Sequence, residues 1–577
     1  TMDVVYGNFE AALTSVKKNL KDAVFYSIDL EMTGIDMCMH RGAQGDLPQD
    51  RYVHLAAAAK KFSIIQFGLS IFTKSDDGYV AHPYNFYLFP EGDKDVVLNA
   101  GAIAFLKKNG MDFQKWLTQG ITYVGEAGEM KMVKRYGPKD DNVKSPAMKS
   151  PKSKIVLNNP VDIKFIDDAM AEAKTWVESK KNGTADTEEF AFPQCNSYRR
   201  RVLHDRLNDF ETSDSVPPLK RQTKSSDNYR LYISMPDEKR LAELKEQKEK
   251  EMAEKLLMAV GFRNVFKLLI ESKLPLVGHN LFLDLLYSFN SFDSELPETF
   301  DAFRARVHEL FPTIIDTKYL SEYGSANPLT NPGFRFDSTV LGDLSKACAA
   351  LDNPPKVTIN PDPYFSKYTN GDENYHEAGW DAHQTGLCFL SLVPLYIIDE
   401  SGTVAGPGID GINKFLEKGR PNLCCGTRTV FNWQLSPADE PYTKASMRGG
   451  QIFYVSGFTV EDGAPAIIKP FPVGKYFVNI KWINDSAAWV EVIPKMGNTS
   501  AIDLDDLKKE IEPKIGKLIV VDWDTFVANP TAFTSVATTT TTTTSTSTST
   551  PTNNNDANIK VSWLGWLLGS NEGESEG

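Results

Sequence analysis

The run Lys21 to Thr33, KDAVFYSIDLEMT, constrains what this chain can fold into more than any other segment. Its Val, Phe, Tyr and Ile residues predict a β-strand. Asp29 and Glu31 stand one residue apart on it, so both side chains point to one face. Two carboxylates on one face of an apolar strand repel each other and resist burial, and divalent cations relieve both problems. An isolated Asp-x-Glu equally describes a solvated strand end, so further ligands must decide between the two.

Two further segments supply them. In LVGHNLFLDLLY, Leu276 to Tyr287, a strand ends at Gly278-His279-Asn280 and a helix follows with Asp284 about one turn inside it. An acid among five apolar neighbours costs several kcal/mol unless it is paired or binds metal. In YHEAGWDAHQTGLCFL, Tyr375 to Leu390, His376 precedes Asp381 by five residues, Asp381 heads an apolar helical run, and Gly379 is read as freeing the backbone between them. Singly, Asp284 is also a helix-end partner, His376 a polar cap and Asp381 a first-turn acid. Together Asp29, Glu31, Asp284 and Asp381 give four hard oxygen donors with no cysteine, a set that favours Mg²⁺, with Mn²⁺ as substitute, over zinc. Two such ions about 4 Å apart suit in-line hydrolysis of a phosphodiester. His376, titrating near neutrality, suits removal of the proton from the attacking water.

The 577 residues exceed one core and predict roughly three or four domains. Strands are predicted over Ser63–Phe72 and Tyr84–Phe89, and a short helix over Ala102–Asn109. Gly125–Pro160 reads as a basic, solvated loop that can also attract RNA. A small module follows, with helices at Phe165–Lys180 and Tyr198–Phe210 and a strand at Tyr229–Ser234. The α/β pattern then resumes, so a nuclease-like domain (1–160 and 236–440) is interrupted by an insert (161–235). Strands at Gly450–Val460, Tyr476–Ile493 and Leu518–Asp522, with a helix at Asp503–Glu510, predict an α+β domain over 446–533. The segment 534–577, Thr/Ser-rich and then acidic, predicts disorder, apart from the apolar stretch Val561–Leu568.

The net charge of −13 argues against a protein that coats nucleic acid electrostatically, though not against an enzyme gripping RNA in a local groove. No N-terminal apolar h-region is visible, which predicts a non-secreted protein. The longest apolar stretch, Leu387 to Ile398, contains Pro394, falls short of a membrane span and predicts a buried helix. Six scattered cysteines, Cys424 and Cys425 adjacent among them, lack zinc spacing and predict reduced thiols in the cytoplasm or nucleus.

The strings FYSIDLEMTGI, FSIIQFGLSIF, YNFYLFP, VGHNLFLDLL, IIDTKYL and HEAGWDAHQTGLCF resemble the poly(A)-specific ribonuclease family, within the DEDDh 3′-5′ exonuclease superfamily. That resemblance covers most of Asp22 to Leu392 at intervals. It implies an α/β fold: a ribonuclease-H-like core split by a small Arg-x-x-x-His insert, then an RNA-recognition-motif-like domain and the tail. It implies hydrolysis from a free RNA 3′ end, poly(A) as substrate, 5′-AMP as product, and a homodimer. Asp29, Glu31, Asp284 and Asp381 would hold two metal ions and His376 would be the general base. Ile35 and Lys318 would contact RNA, as would Arg200 and His204, whose spacing on one helix suits a phosphate. IKWINDSAAWVEV resembles the central strand of the C-terminal domain, where Trp482 is the candidate for binding an mRNA cap and Phe453 and Tyr454 are candidate stacking residues. The site departs from the family in carrying Leu30 between the acids and Met32 where Phe is common, which bears on base preference. The family also includes 3′ trimmers of small-RNA precursors, the nearest rival. A catalytically idle RNA-binding scaffold is the second rival, opposed by the intact five-residue set.

Overall fold

The computed structural model describes residues 3–35, 46–90, 92, 95–137, 157–213, 219–224, 227, 229–235, 238–323, 336–352, 354–369, 374–396, 409–418, 421–427, 429–445, 450–495 and 502–534. Cys38, residues 138–156 of the predicted basic segment and the tail with Val561–Leu568 lie outside the described residues. The chain forms two compact units, Thr1–Lys131 with Met258–Gly577, and Met132–Leu257.

The first unit is built on a seven-stranded mixed sheet. Its strands are β1 (Asp3–Val4), β2 (Ala23–Met32), β3 (Ile64–Ser75), β4 (Gly78–Tyr87), β5 (Leu276–Gly278), β6 (Ile314–Asp316) and β7 (Val357–Ile359), in the order β1-β4-β3-β2-β5-β6, with β7 also along β4. β2, β3 and β4 are antiparallel, and β5 and β6 continue the sheet in parallel. This is the ribonuclease-H-like core that the sequence strings imply.

Side-chain alternation along β2 decides where the site lies. Tyr26, Ile28 and Leu30 face a large apolar layer that includes the Phe9–Lys21 and Arg263–Ser272 helices. The other face carries Phe25, Ser27, Asp29 and Glu31 towards the Ala378–Tyr396 helix. Phe25 meets Phe389 edge-on at 5.0 Å, and Ser27 Oγ donates to the Ala382 carbonyl at 2.6 Å. One face of one strand thus passes from apolar packing to acid within four residues. Gly386 makes the close approach possible, because a Cβ there would sit 2.2 Å from the Phe72 ring.

After a three-stranded antiparallel sheet, β8 (Leu423–Cys424), β9 (Phe431–Gln434) and β10 (Tyr442–Lys444), comes a β-α-β-β-α-β segment. Its strands β11 (Gln451–Ser456), β12 (Tyr476–Asn484), β13 (Ala487–Pro494) and β14 (Ile519–Asp522) form an antiparallel sheet in the order β12-β13-β11-β14. Phe453, Val455, Val490 and Val492 share an apolar cluster with Ile467, Leu507 and Ile511 of its two helices. The opposite face is covered as well: Tyr454 stacks on Phe526 at 4.6 Å, and Trp489 meets Phe526 at 4.8 Å. Phe453 and Tyr454 are 2% and 1% exposed, so neither is available to stack on RNA; both serve as core.

In the second unit, the helices Pro160–Lys181 and Ser197–Ser213 accompany a three-stranded antiparallel sheet of Glu189–Ala191, Arg230–Ser234 and Lys220–Lys224. Trp176, Val202, Leu203, Leu207, Leu231 and Ile233 are buried together. The expected loop after Gly125 is helical at its start, over Glu126–Tyr136. There Glu129 pairs with Arg263 at 2.6 Å and also with Lys267, an anchor that composition does not reveal. Among the described residues no helix is long and apolar enough to cross a membrane.

Candidate active site

Asp29 and Glu31 from β2, Asp284 from the Phe282–Ser288 helix, Asp381 from the Ala378–Tyr396 helix, and His376 line one cavity of about 530 Å³. Three separate sequence segments thereby deliver the whole predicted set to one place. Asp284 and Asp381 are only 8% and 6% exposed. Burial pushes all four carboxyls well above the usual carboxylate range. Neighbouring charge adds to this: Asp284 acts on Asp29, Asp29 on Asp381, and Asp29, Asp381 and Asp284 on Glu31. Without a cation the cluster opposes its own ionisation.

Asp381 has its two oxygens in different states. Oδ2 accepts the backbone N–H of His376 at 2.9 Å, whereas Oδ1 is buried and accepts no hydrogen bond from any described residue. An unsatisfied buried oxygen costs about 1–3 kcal/mol, and a metal ion removes that cost. Glu31, His376 and Asp381 each offer one ligand atom, all within 4.8 Å of one another. These residues therefore fit a hard divalent cation.

His376 is in the left-handed region, at φ 68°. Its ring stands edge-on to Phe105 at 4.7 Å, and burial draws the imidazole below its ordinary pKa, favouring the neutral ring. The following residue is braced: Lys367 Nζ contacts both Glu377 oxygens at 2.7 and 2.6 Å, and Asp3 at 2.7 Å. Gly379, expected to free the backbone here, instead lies within the helix. Its lack of a side chain serves packing, since a Cβ would come 2.7 Å from both Asn85 Cβ and the Tyr368 hydroxyl. The unusual backbone angle falls on His376.

Three positioning groups were not read from the sequence. Asp316, at the end of β6, accepts five backbone N–H groups: Asn280 and Lys318 at 2.9 Å, Cys425 at 2.9 Å, Leu281 at 3.2 Å and Tyr319 at 3.3 Å. It fixes the turn that delivers Asp284, where Asn280 adopts φ 59°. An acid between a strand and a helix is an N-cap signal, which IIDTK contains. Gln66 and Asn85 accept the Ala378 and Gly379 N–H groups at 3.3 and 3.2 Å, satisfying the start of the helix that bears Asp381. No local pattern marks those two, because their role depends on strands crossing under that helix.

Of the other predicted residues, Ile35 and Lys318 also line the cavity. Lys318 Nζ lies 3.3 Å from the Glu322 carboxylate and 3.3 Å from Thr339 Oγ1. Arg200 and His204 belong to the second unit, where they line a cavity of about 400 Å³ with Arg201, Arg221 and Asn208. Trp482 is on β12, half-buried and edge-on to Phe458 at 5.7 Å. Cys424 and Cys425 are buried free thiols, as expected.

Comparison with known proteins places this geometry. The chain is similar to the poly(A)-specific ribonuclease PARN of Xenopus laevis and of Homo sapiens, 28% identical over 410 residues in each case, covering 68% of this chain and 62% of each relative. It therefore spans about three-fifths of the length of those proteins. It is also similar to the pre-piRNA 3′-exonuclease trimmer of Bombyx mori, 27% identical over 404 residues, covering 68% of this chain and 71% of that one. Among solved structures, S. pombe Pop2p in its Mg²⁺- and Mn²⁺-bound form matches with a TM-score of 0.33 and 14% identity over 70% of this chain and 97% of that one, a superposition too loose to transfer positions. The family described as CAF1 family ribonuclease matches residues 4–389, a stretch containing all four carboxylates and His376, so this chain belongs to the CAF1 family of ribonucleases.

Proposed function

We propose that this chain is a Mg²⁺-dependent 3′-to-5′ exoribonuclease that shortens poly(A) tails and releases 5′-AMP. The observation that carries this reading is the convergence of four carboxylates and His376 on one cavity, with Asp381 Oδ1 buried and unpartnered. Similarity to poly(A)-specific ribonucleases supplies the substrate. Asp29, Glu31, Asp284 and Asp381 would hold two ions, Mg²⁺ or in its place Mn²⁺. When bound, such ions orient the attacking water and stabilise charge on the leaving 3′-oxygen. His376, neutral through burial, takes the water proton at a ring nitrogen, and its fixed turn aims that nitrogen at the acids. Lys318 faces the RNA backbone and Ile35 the terminal nucleotide.

Outside the cavity, Arg200 and His204 give the insert a phosphate-binding groove. Burial and the neighbouring Arg221 and Arg200 charges lower the pKa of His204, while Arg221 is itself paired with Glu211 at 2.7 Å. The β11–β14 segment is read as an RNA-recognition-motif-like domain from its strand order. Such domains stack bases on sheet aromatics. Here those positions are covered by the Trp523–Ala528 helix, so this sheet contributes no stacking surface of that kind. Trp482 is the candidate cap contact, and a homodimer working in the cytoplasm or nucleus completes the proposal. Trimming of small-RNA 3′ ends is the second reading, favoured by the Bombyx mori relative.

A ladder assay with 5′-labelled RNAs ending in A, C, G or U, run with Mg²⁺, tests both readings. Stepwise shortening that is fastest on A tails is expected for the deadenylase. Equal rates on all four tails point to the trimmer, and cleavage that resists EDTA or cuts circular RNA overturns the exonuclease assignment.

A further inference from the structure

The cavity that holds the acids is also lined by the Leu341–Ala349 helix, through Gly342 and Lys346, and by Tyr375. Residues four apart share a helix face, so Gly342 and Lys346 present together. The Tyr375 ring lies over Gly342, where an added Cβ would touch it at 3.5 Å, and meets Trp380 edge-on at 6.2 Å and 85°. It is half-buried, backed by protein and open to the cavity. Lys346 Nζ is 6.0 Å from the ring centroid, which places a positive charge beside an aromatic face.

Backbone geometry ties this pair to the chemistry. Tyr375 and His376 are consecutive residues of one turn, in which His376 is left-handed, and both line the same cavity. A base held on Tyr375 is thereby indexed, by a single residue step, to the proposed general base. Met32, which follows Glu31 on β2 and lines the same cavity, offers no aromatic face.

We propose that Tyr375 and Lys346 form a nucleotide subsite, the ring stacking on a base near the RNA 3′ end and the ammonium facing the adjoining phosphate. The subsite rests on the exoribonuclease reading above and deepens it: it selects a single-stranded 3′ end with a large aromatic base, as in poly(A), because stacking is lost when the base is paired. Stacking a base on an aromatic side chain contributes about 1–3 kcal/mol, equivalent to about 5- to 150-fold in binding.

The test is steady-state cleavage of oligo(A) with Mg²⁺ by the full chain and its Tyr375→Leu, Tyr375→Phe and Lys346→Met variants, each checked for folding by thermal melting. Tyr375→Leu should raise KM about 5- to 150-fold with a smaller change in kcat, and Tyr375→Phe should restore it. The KM penalty should be larger on oligo(A) than on oligo(U). Lys346→Met should lower the slope of log KM against log salt by about 0.7, the contribution of one phosphate contact on a single strand. Wild-type KM in a folded Tyr375→Leu, or a Phe variant as impaired as Leu, overturns the stacking role. An unchanged salt slope in Lys346→Met overturns the phosphate contact. Wild-type protein that leaves oligo(A) uncut fails the exoribonuclease reading itself, which none of the variant outcomes does.

Discussion

Replacing Gly68 with alanine tests the geometry of the site without touching any ionisable group. Gly68 pairs with Asp29 on one side and Asn85 on the other, at the crossing point of the Ala378–Tyr396 helix. A Cβ there would lie 1.8 Å from the Ala378 carbonyl oxygen, 2.1 Å from its carbon and 2.7 Å from the Gly379 nitrogen. All three are backbone atoms, so no side chain can swing aside. Ordinary contact begins at 3.4 Å, and the start of the helix must therefore retreat by about 1.6 Å. Asp381 is one turn further along the same rigid element and moves with it. The Gln66 and Asn85 hydrogen bonds to Ala378 and Gly379 stretch at the same time. A misplacement of about 1 Å costs on the order of 10²-fold in rate. Overpacking of this kind costs about 1–3 kcal/mol in stability, which leaves most domains folded. The assay is single-turnover cleavage of labelled oligo(A) at saturating Mg²⁺, with urea unfolding in parallel. Gly7→Ala, where a Cβ meets nothing within 4 Å, is the control and should match wild type. If a folded Gly68→Ala cleaves within about threefold of wild type, the claimed dependence of the site on this close approach is wrong.

Asp381→Asn should abolish cleavage yet raise the melting temperature of the metal-free protein, because it removes one member of a self-repelling cluster; a lowered melting temperature would show that the acids are not in conflict. His376→Asn, which tolerates the left-handed turn, should slow cleavage about 10²- to 10⁴-fold while RNA binding persists, and wild-type rates at neutral pH would remove His376 from the mechanism. His279 contributes pH dependence of a definite sign. Burial, then the Lys318 charge, pulls its pKa to about 3, while the unfolded value is about 6.5. The unfolded chain therefore binds a proton that the native protein does not, and stability falls as pH drops below about 6.5. Since the ring partly faces the cavity, the loss at pH 5 should be about 1–2 kcal/mol. His279→Gln should lose less stability between pH 7 and pH 5 by that amount in urea titrations, and identical losses would refute the assignment.

Much of the catalytic set is legible in the chain because each member is locally anomalous. Asp29 and Glu31 interrupt a β-rich run, Asp284 sits among leucines and phenylalanines, and Asp381 opens an apolar helix. An acid in apolar surroundings signals its own cost, and only pairing or metal lowers that cost. The β2 strand, the buried Ala378–Tyr396 helix and the strand-rich stretches of the last domain follow from periodicity, since their packing is governed by a repeat of two or 3.6 residues, although the single stretch expected over Tyr476–Ile493 is two strands, β12 and β13. The Glu126–Tyr136 helix does not follow, because its polar sequence is anchored through Arg263 and Lys267, over 130 positions away.

What only tertiary structure decided are the roles that arise where distant segments cross. Asp316 is an ordinary strand-end acid until five backbone N–H groups from three segments converge on it. Gly379 looks like conformational relief in sequence, and in space it and Gly68 are clearance for a helix crossing a sheet. Phe453 and Tyr454, candidate stacking residues in the sequence, point to opposite faces of their strand, and a second layer covers one face and helices the other. Sequence determines which residues must find a partner, because burial energy is set by side-chain chemistry. Which partner each one finds is fixed by backbone crossings, and those depend on contacts between residues far apart in the chain.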